Sequence, residues 1–544
     1  MDSIRGDPMT NTQRVDCDVI VVGAGFAGLY ALFRLRKMGL SAMGIEAAGD
    51  VGGTWWWNRY PGARCDIRSI DYSYSFDADL EQDWEWSEKY ATQPEILAYV
   101  NHVADRFDLR RDIRFNTRVL AATWNEVDQC WAVTTDSGDT RNCRHLIMAV
   151  GALSAAKRPE IEGIDSFEGE TFHTGQWPHE GVDFTGKRVA VIGTGSSGIQ
   201  SIPLIAEQAA ELTVFQRTPN FAVPAQNGTL DPELVAELKA RYRDYRAEQR
   251  LSHGGVVGPQ PAEESALAVD PDERTRRFDE IWEQGTLFGF LGSFNDVMID
   301  PAANAIVAEY LRSRIRAIVR DPETAEKLCP DSYPVGSKRL CLATNYFETY
   351  NRDNVSLVDL RKTPIVRIDQ TGVETTEGHF DVDVLVFATG FDAMTGPLLA
   401  PDIHGRHDRS LREAWSAGPR TYLGIMSHGF PNLFMITGPG SPSVLTNMLV
   451  SIEQHVEWAT DAIDWLRTHD LTTIDPDLEA QDQWVDHVNE IAEFTLFPKG
   501  DSWYLGANVP GKPRVFMPYI AGVGVYRQIC EDVVTNHYRG FTLR

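Results

Sequence analysis

This chain of 544 residues predicts an α/β fold with two Rossmann-like dinucleotide-binding units, and three observations predict it. Gly-x-Gly-x-x-Gly occurs twice. Each copy directly follows a short β-branched apolar run, and each is followed, after a helix-length interval, by a second apolar run. The order is strand, tight turn, helix, strand, in which backbone N–H groups at a helix N-terminus meet a pyrophosphate. A single glycine-rich match is weak evidence; two in the same local context are not.

The first copy is Gly23-Ala24-Gly25-Phe26-Ala27-Gly28, after Val19-Ile20-Val21-Val22, and Glu46 closes the next apolar run. The second is Gly193-Thr194-Gly195-Ser196-Ser197-Gly198, after Val189-Ala190-Val191-Ile192, and its next strand ends in Gln216-Arg217. A carboxylate at that strand end accepts bonds from ribose hydroxyls, whereas an arginine favours a 2′-phosphate. One site therefore reads as FAD and the other as NADPH. Two nucleotide sites in one chain imply electron transfer between them, and so a flavoenzyme.

Along the chain, residues 17–22 read as a strand, 27–38 as a helix and 41–45 as a second strand. Gln93 to Phe107 has helical periodicity after a proline start. Runs at 117–124 and 130–135 are β-type, and Leu146 to Val150 reads as a buried strand ending in Gly151. The second unit opens at 185–220. Residues 231–330 then turn charged and helix-periodic, in 231–250 and 301–320, with a Gly/Pro-containing stretch from Gly254 to Pro261 between them. Asp383 to Gly390 returns to a buried parallel-type strand ending in a glycine set to meet the flavin. Helices follow around 451–468 and 476–493. The expected organisation is a disordered tail at 1–16, an FAD-binding domain from 17–152 and 390–544, and an NADPH-binding domain from 153–230 and 331–389. A helical insertion at 231–330 completes it. Both nucleotide domains are thus discontinuous.

Composition narrows the class. An apolar fraction of 43% with 24% charged residues is that of a soluble globular protein. A net charge of -27 argues against nucleic acid or an anionic membrane as partner, and favours a monomer. The seven cysteines are odd in number and contain no Cys-x-x-Cys, so reduced thiols, a cytoplasmic setting and no metal site are expected. The N-terminal residues lack the apolar core of a signal peptide, and no run reaches the roughly 18 apolar residues that span a bilayer.

Two segments narrow the chemistry. One is Phe167-Glu-Gly169-Glu-Thr-Phe-His173-Thr-Gly-Gln-Trp177-Pro178; the other is Gly52-Gly53-Thr54-Trp55-Trp-Trp-Asn-Arg-Tyr60-Pro61-Gly62-Ala-Arg-Cys-Asp66. On spacing alone His173 reads as a hydrogen-bonded linker histidine, and the tryptophans as core packing. Together, however, the segments resemble the type I Baeyer–Villiger monooxygenases at every fixed position of two family motifs. The resemblance continues through Lys338-Arg339, Ala388-Thr389-Gly390-Phe391-Asp392 and Ser502-Trp503-Tyr504, and so covers about residues 17–543.

The resemblance implies an activity: NADPH reduces FAD, oxygen adds at the flavin C4a carbon, and the peroxide converts a ketone to an ester or lactone, with sulfide oxidation as a side activity. It makes Arg339 the catalytic cation and Asp66 the carboxylate that orients it. Bare of the resemblance, an Arg–Asp pair is a structural contact. Around the flavin it puts Gly23, Gly25, Phe26, Ala27, Gly28 and Glu46, then Gly53, Thr54, Trp55, Tyr60, Asp66, Tyr72 and Asp392. Around NADP it puts Gly193, Thr194, Gly195, Ser196, Ser197 and Gly198 with Arg217, Thr218, Lys338 and Arg339. Trp503 joins them on a Gly/Pro-rich loop, 498–513, expected to move and to close over the cofactor. Leu153, Ser443, Val444, Leu445 and Met448 line the substrate pocket, while His173 and Trp177 belong to the interdomain linker. Trp56 departs from the tyrosine more usual there, and Ala152, Val444 and residues 285–297 fall in stretches that vary between members. These departures touch the choice of substrate, not the reaction.

Two other activities stay open at this point. A flavin monooxygenase restricted to sulfur or nitrogen needs a protonated peroxide, which a cation at Arg339 opposes. An NADPH oxidase or reductase serving another protein is weakened by the missing Cys-x-x-Cys.

Overall fold

A computed structural model describes residues 15–258 and 262–544. The tail expected at 1–16 thus falls almost wholly outside the described residues, as do the last three positions of the stretch from Gly254 to Pro261.

The first sheet is built on Cys17–Val22, whose Val19, Ile20 and Val21 are fully buried. It pairs in parallel with Ala42–Ile45 on one side and Thr140–Met148 on the other. Unbroken β-branched runs suit a parallel strand covered on both faces. The strand ends at Met148 rather than Val150, where its register with Val22 ends, the last ladder bond being Ala149 N to Val22 O at 2.9 Å. Val119–Asn125 and Cys130–Thr135 add an antiparallel extension. Two strands from far along the chain complete the sheet: Asp402–His404 beside Val119–Asn125, and Leu433–Met435 beside Thr140–Met148. The helix Phe26–Lys37 covers this sheet and is itself covered by Met448–Thr468, where Arg34 Nε donates to Thr460 at 2.8 Å and Tyr30 to Glu457 at 3.0 Å.

The second sheet is wholly parallel, in the order Val355–Asp359, Glu211–Gln216, Arg188–Ile192, Val384–Phe387, Glu170–His173. Its helix Ser196–Gln208 starts on the second glycine turn. A three-stranded antiparallel sheet, Ile365–Ile368, Gly372–Thr375 and Gly378–Asp381, packs Ile368 and Val373 against Phe215, Leu385 and Phe387. Both dinucleotide folds are therefore discontinuous in sequence.

Among the described residues between 231 and 330 the chain is mainly helical, with one break and two additions, Pro271–Gln284 and Pro322–Leu328, relative to the periodicity. The run at 231–250 splits into Pro232–Ala240 and Tyr242–Leu251 at Arg241, whose φ of -120° is not helical. Pro271–Gln284 is an extra helix, started by the Asp270 side chain on Asp272 N and stopped by Gly285 at φ +58°. The insertion leans on the first fold through a buried Arg246–Glu81 pair at 2.7 Å. Among the described residues no helix is long and apolar enough to cross a membrane, and all seven cysteines are buried and unpaired.

Candidate active site

The first glycine turn is dictated by close approach. A Cβ at Gly23 would lie 2.5 Å from Ala149 O, and one at Gly28 only 1.9 Å from Gly23 O, so neither position admits a side chain. Gly25 faces Gly53, where a Cβ would sit 3.0 Å from the Gly25 Cα. Phe26 and Ala27 open a helix whose cap, Gly25, makes no side-chain bond, so its first-turn N–H groups remain available to an anion. Glu46 is buried at the mouth of the turn, accepting from Ala24 N at 2.6 Å and Ala48 N at 2.7 Å. Thr54 and Trp55 start the short helix Thr54–Trp57; Trp55 Nε1 donates to the Tyr72 hydroxyl at 3.3 Å, and Tyr72 meets Phe26 edge-on at 5.6 Å. These residues surround one cradle, and its donors and single carboxylate fit a flavin dinucleotide. Two others assigned to the flavin face elsewhere in this structure. The Tyr60 hydroxyl donates to Gln200 at 2.8 Å, on the helix of the second fold, and the Asp392 carboxylate takes Lys512 at 2.5 Å.

The second turn repeats the pattern with one difference. Gly193, at φ +111°, and Gly198 would bring a Cβ within 2.5 and 2.4 Å of backbone oxygens, but a Cβ at Gly195 would meet nothing within 4 Å. Packing does not require that glycine, so the open space over the helix start is what its missing side chain provides. Thr194 Oγ1 donates to Thr218 O at 3.2 Å, Ser197 Oγ accepts from Thr174 at 3.2 Å, and Ser196 Oγ lies 3.2 Å from Cys341 Sγ. At the same end Arg217 is exposed, and Lys338 lies over the Tyr333 ring at 5.0 Å. Burial first, and the charge of Arg217 second, lower the pKa of both Lys338 and Lys157. Three cations gather here in a strongly acidic protein, and none forms an ion pair among the described residues. A phosphate dianion fits such a group.

Arg339 joins the folds. Its Nε donates to Asp66 Oδ2 at 2.8 Å, with Nη2 in ion-pair contact with the same oxygen at 2.7 Å, and Nη1 donates to Val444 O at 2.8 Å. The guanidinium is thereby held from two sides, with Tyr504 as a further hydrogen-bond partner. Burial opposes the charge, yet Asp66 and Tyr504 outweigh it and hold the pKa above the ordinary arginine value. The cation is permanent. Val444 belongs to the same apolar cluster as Met394, Tyr504 and Met517, with Leu153, Leu445, Met448 and Trp503 packed partly buried around it. Ser443, at φ +40°, is locked by its hydroxyl on Thr437 O at 3.2 Å. The expected pocket residues and the arginine are thus neighbours.

His173 is taken up by the linker. Nδ1 accepts from Gly175 N at 2.9 Å, which puts the proton on Nε2, facing Lys157 O at 3.1 Å and Thr389 Oγ1 at 3.4 Å. Burial lowers its pKa, favouring this neutral form. Trp177 is buried against Phe172 and Phe184, and its backbone N–H reaches Trp57 O at 3.4 Å. The 498–513 loop is fastened rather than loose: Asn508 Nδ2 donates to Phe391 O at 2.7 Å, Lys512 holds Asp392, and Lys157 donates to Asn508 O. Sequence reasoning missed Tyr504, Lys157 and Lys512. Tyr504 adjoins the expected Trp503; the two lysines carry no local signature.

A family model described as pyridine nucleotide-disulphide oxidoreductase matches residues 20–253. The chain is 45% identical to a Baeyer–Villiger monooxygenase of Pseudooceanicola batsensis, over 97% of this chain and 96% of that one. It is 54% identical to an oxidized steroid monooxygenase bound to NADP, with a TM-score of 0.92 and coverage of 97% and 99%. The OTEMO complex with FAD and NADP is 41% identical, with a TM-score of 0.94 and coverage of 98% and 100%. With these likenesses running over nearly the whole of each chain, the chain belongs to the Baeyer–Villiger monooxygenase family.

Proposed function

We propose that this protein is an FAD-containing, NADPH- and O₂-dependent Baeyer–Villiger monooxygenase that inserts oxygen beside the carbonyl of a ketone, giving an ester or lactone. The observation that carries it is the fixed guanidinium of Arg339, held by Asp66 and by Val444 O beside the apolar pocket. Bound FAD supplies the hydride acceptor and the means of activating oxygen. The chain does the rest. Arg339 offers charge to negative oxygen as it develops on the reacting atoms, in a site walled from water by Val444, Tyr504 and Met517. Asp66 keeps that cation aimed. Arg217 and Lys338 hold the NADPH 2′-phosphate, with Thr218 beside them, and the open face at Gly195 admits the pyrophosphate. Trp503 and its loop cover the cofactor.

The ketone-facing surface is formed by Leu153, Val444, Leu445 and Met448, with sulfides as secondary substrates. We assign 17–152 with 390–544 to the FAD domain, 153–230 with 331–389 to the NADPH domain, and 231–330 to the insertion. The enzyme works as a cytoplasmic monomer. The test is a panel of cyclic, linear and aryl ketones, following ketone-dependent NADPH oxidation and identifying the product. Esters or lactones carrying oxygen from ¹⁸O₂ support the reading. NADPH consumption that yields only hydrogen peroxide with every ketone overturns it.

A further inference from the structure

Lys157 stands where three parts of the molecule meet. Its N–H donates to Gly390 O at 3.0 Å, and its carbonyl accepts from Thr389 Oγ1 at 2.8 Å and His173 Nε2 at 3.1 Å, tying it to the crossing between the folds. Its ammonium group donates to Asn508 O, inside the 498–513 loop. The loop's neighbouring fastenings use the same stretch of chain: Asn508 Nδ2 on Phe391 O, and Lys512 on Asp392 and on Ala393 O at 2.8 Å. Burial first and the positive charge of Arg217 second work against the ammonium, and the more weakly felt carboxylates of Glu160 and Asp392 do not offset them. Two cations brought together without a carboxylate in ion-pair contact are relieved by an anion bound beside them.

We propose that Lys157 is a positioning residue that couples recognition of the NADPH phosphate at Arg217 to fastening of the loop that carries Trp503. This rests on the NADPH reading above. With the phosphate bound, the Lys157 ammonium is retained by the anion on one side and by the Asn508 carbonyl on the other, so the loop stays down. With a cofactor lacking that phosphate, repulsion from Arg217 persists and the loop is held less firmly.

Lys157→Met keeps the aliphatic stem and removes the charge; Lys157→Arg keeps the charge. On FAD-loaded enzyme, affinities for NADP⁺ and NAD⁺ are read from the flavin absorbance change. Loop fastening is read from trypsin cleavage after Lys499 and Arg514, at either end of the loop, in the NADP⁺-saturated complex. We expect Lys157→Met to weaken NADP⁺ about 10-fold and NAD⁺ less than about twofold, and to speed cleavage after Arg514 by about 10-fold. Lys157→Arg returns both readouts to within about threefold of the parent. Parental behaviour of Lys157→Met in both readouts overturns the proposal, and so does faster cleavage without any loss of NADP⁺ preference. A parent enzyme that binds NAD⁺ as tightly as NADP⁺ overturns the underlying NADPH reading, and the coupling with it.

Discussion

Asp66 Oδ2 accepts from Nε of Arg339 at 2.8 Å and lies in ion-pair contact with its Nη2 at 2.7 Å, although 273 positions separate the two residues. One carboxylate oxygen thus orients the whole guanidinium plane, and the remaining edge is steadied by Val444 O.

Arg339→Ala is expected to separate the two halves of the catalytic cycle. Losing one neutral oxyanion donor costs about 100- to 1,000-fold in rate, and losing a buried cation costs at least that. Hydride transfer to the flavin makes no such demand, so reduction by NADPH stays within about tenfold of the parent while ester formation becomes undetectable. Arg339→Lys keeps the charge but loses the planar fork, and rescues little. Asp66→Ala gives a milder version. Stopped-flow kinetics of each half-reaction decides it: an Arg339→Ala enzyme making ester at near-parental rates removes this residue from the mechanism.

Arg217→Ala should weaken NADPH selectively. A charge-assisted contact contributes about 1.5–3 kcal/mol, or roughly 10- to 150-fold in affinity, and NADH lacks the phosphate that makes it. Titration of both cofactors is the check. Equal losses for NADPH and NADH would point to a folding defect instead.

Gly195→Ala and Gly198→Ala should differ although both alter the same motif. The Cβ at 195 meets no protein atom within 4 Å, whereas at 198 it would lie 2.4 Å from Gly193 O. Gly195→Ala therefore keeps its FAD and its thermal midpoint but loses about tenfold or more in NADPH affinity, because the methyl occupies the approach to the helix N-terminus. Gly198→Ala is destabilised outright. If the thermal midpoint of Gly195→Ala fell as far as that of Gly198→Ala, the open face would have been misread.

Acid sensitivity has a specific source in His145. It is buried, its Nδ1 has no hydrogen-bond partner, and its pKa is pushed down to about 3, by burial first and Arg144 second. Below its ordinary value of 6.5 the unfolded chain takes up a proton that the folded one refuses, so stability falls as the pH drops through that window. Between pH 7 and pH 5 this costs about 2 kcal/mol. His145→Phe removes the titrating group, and its thermal midpoint should drop less over the same interval. A variant as acid-sensitive as the parent would clear His145 of the effect.

Much of this was legible before any coordinates. Strand, glycine turn and helix are local, and their turn chemistry is written in consecutive residues, so both dinucleotide folds and the contrast between Glu46 and Arg217 emerged directly. The helix Pro271–Gln284 carries an equally local signature, Asp270-Pro271 before it and Gly285 after it. It escaped notice because only Phe278 and Trp282 of its residues are buried, too few to mark an apolar stripe. Other features have no residue-type signature at all. Val444 steadies Arg339, and Asn508 receives Lys157, through backbone carbonyls that every residue possesses. Tyr60 reaches Gln200 across 140 positions, a pairing that exists only once both folds have docked.

The order of strands in the two sheets also bears on how the chain acquires its shape as it is synthesised. All five parallel strands of the second sheet lie between Glu170 and Phe387. The first sheet begins at Cys17 but is completed by Asp402–His404 and Leu433–Met435, and its helix is covered only by Met448–Thr468. On a nascent chain the fold that starts first therefore finishes last. Its N-terminal strands wait, with apolar faces unburied, for a segment some four hundred residues behind them. A nascent chain of which roughly the first 390 residues have emerged from the ribosome would present a finished second fold beside an incomplete first one, and that intermediate is the one a chaperone would have to shelter.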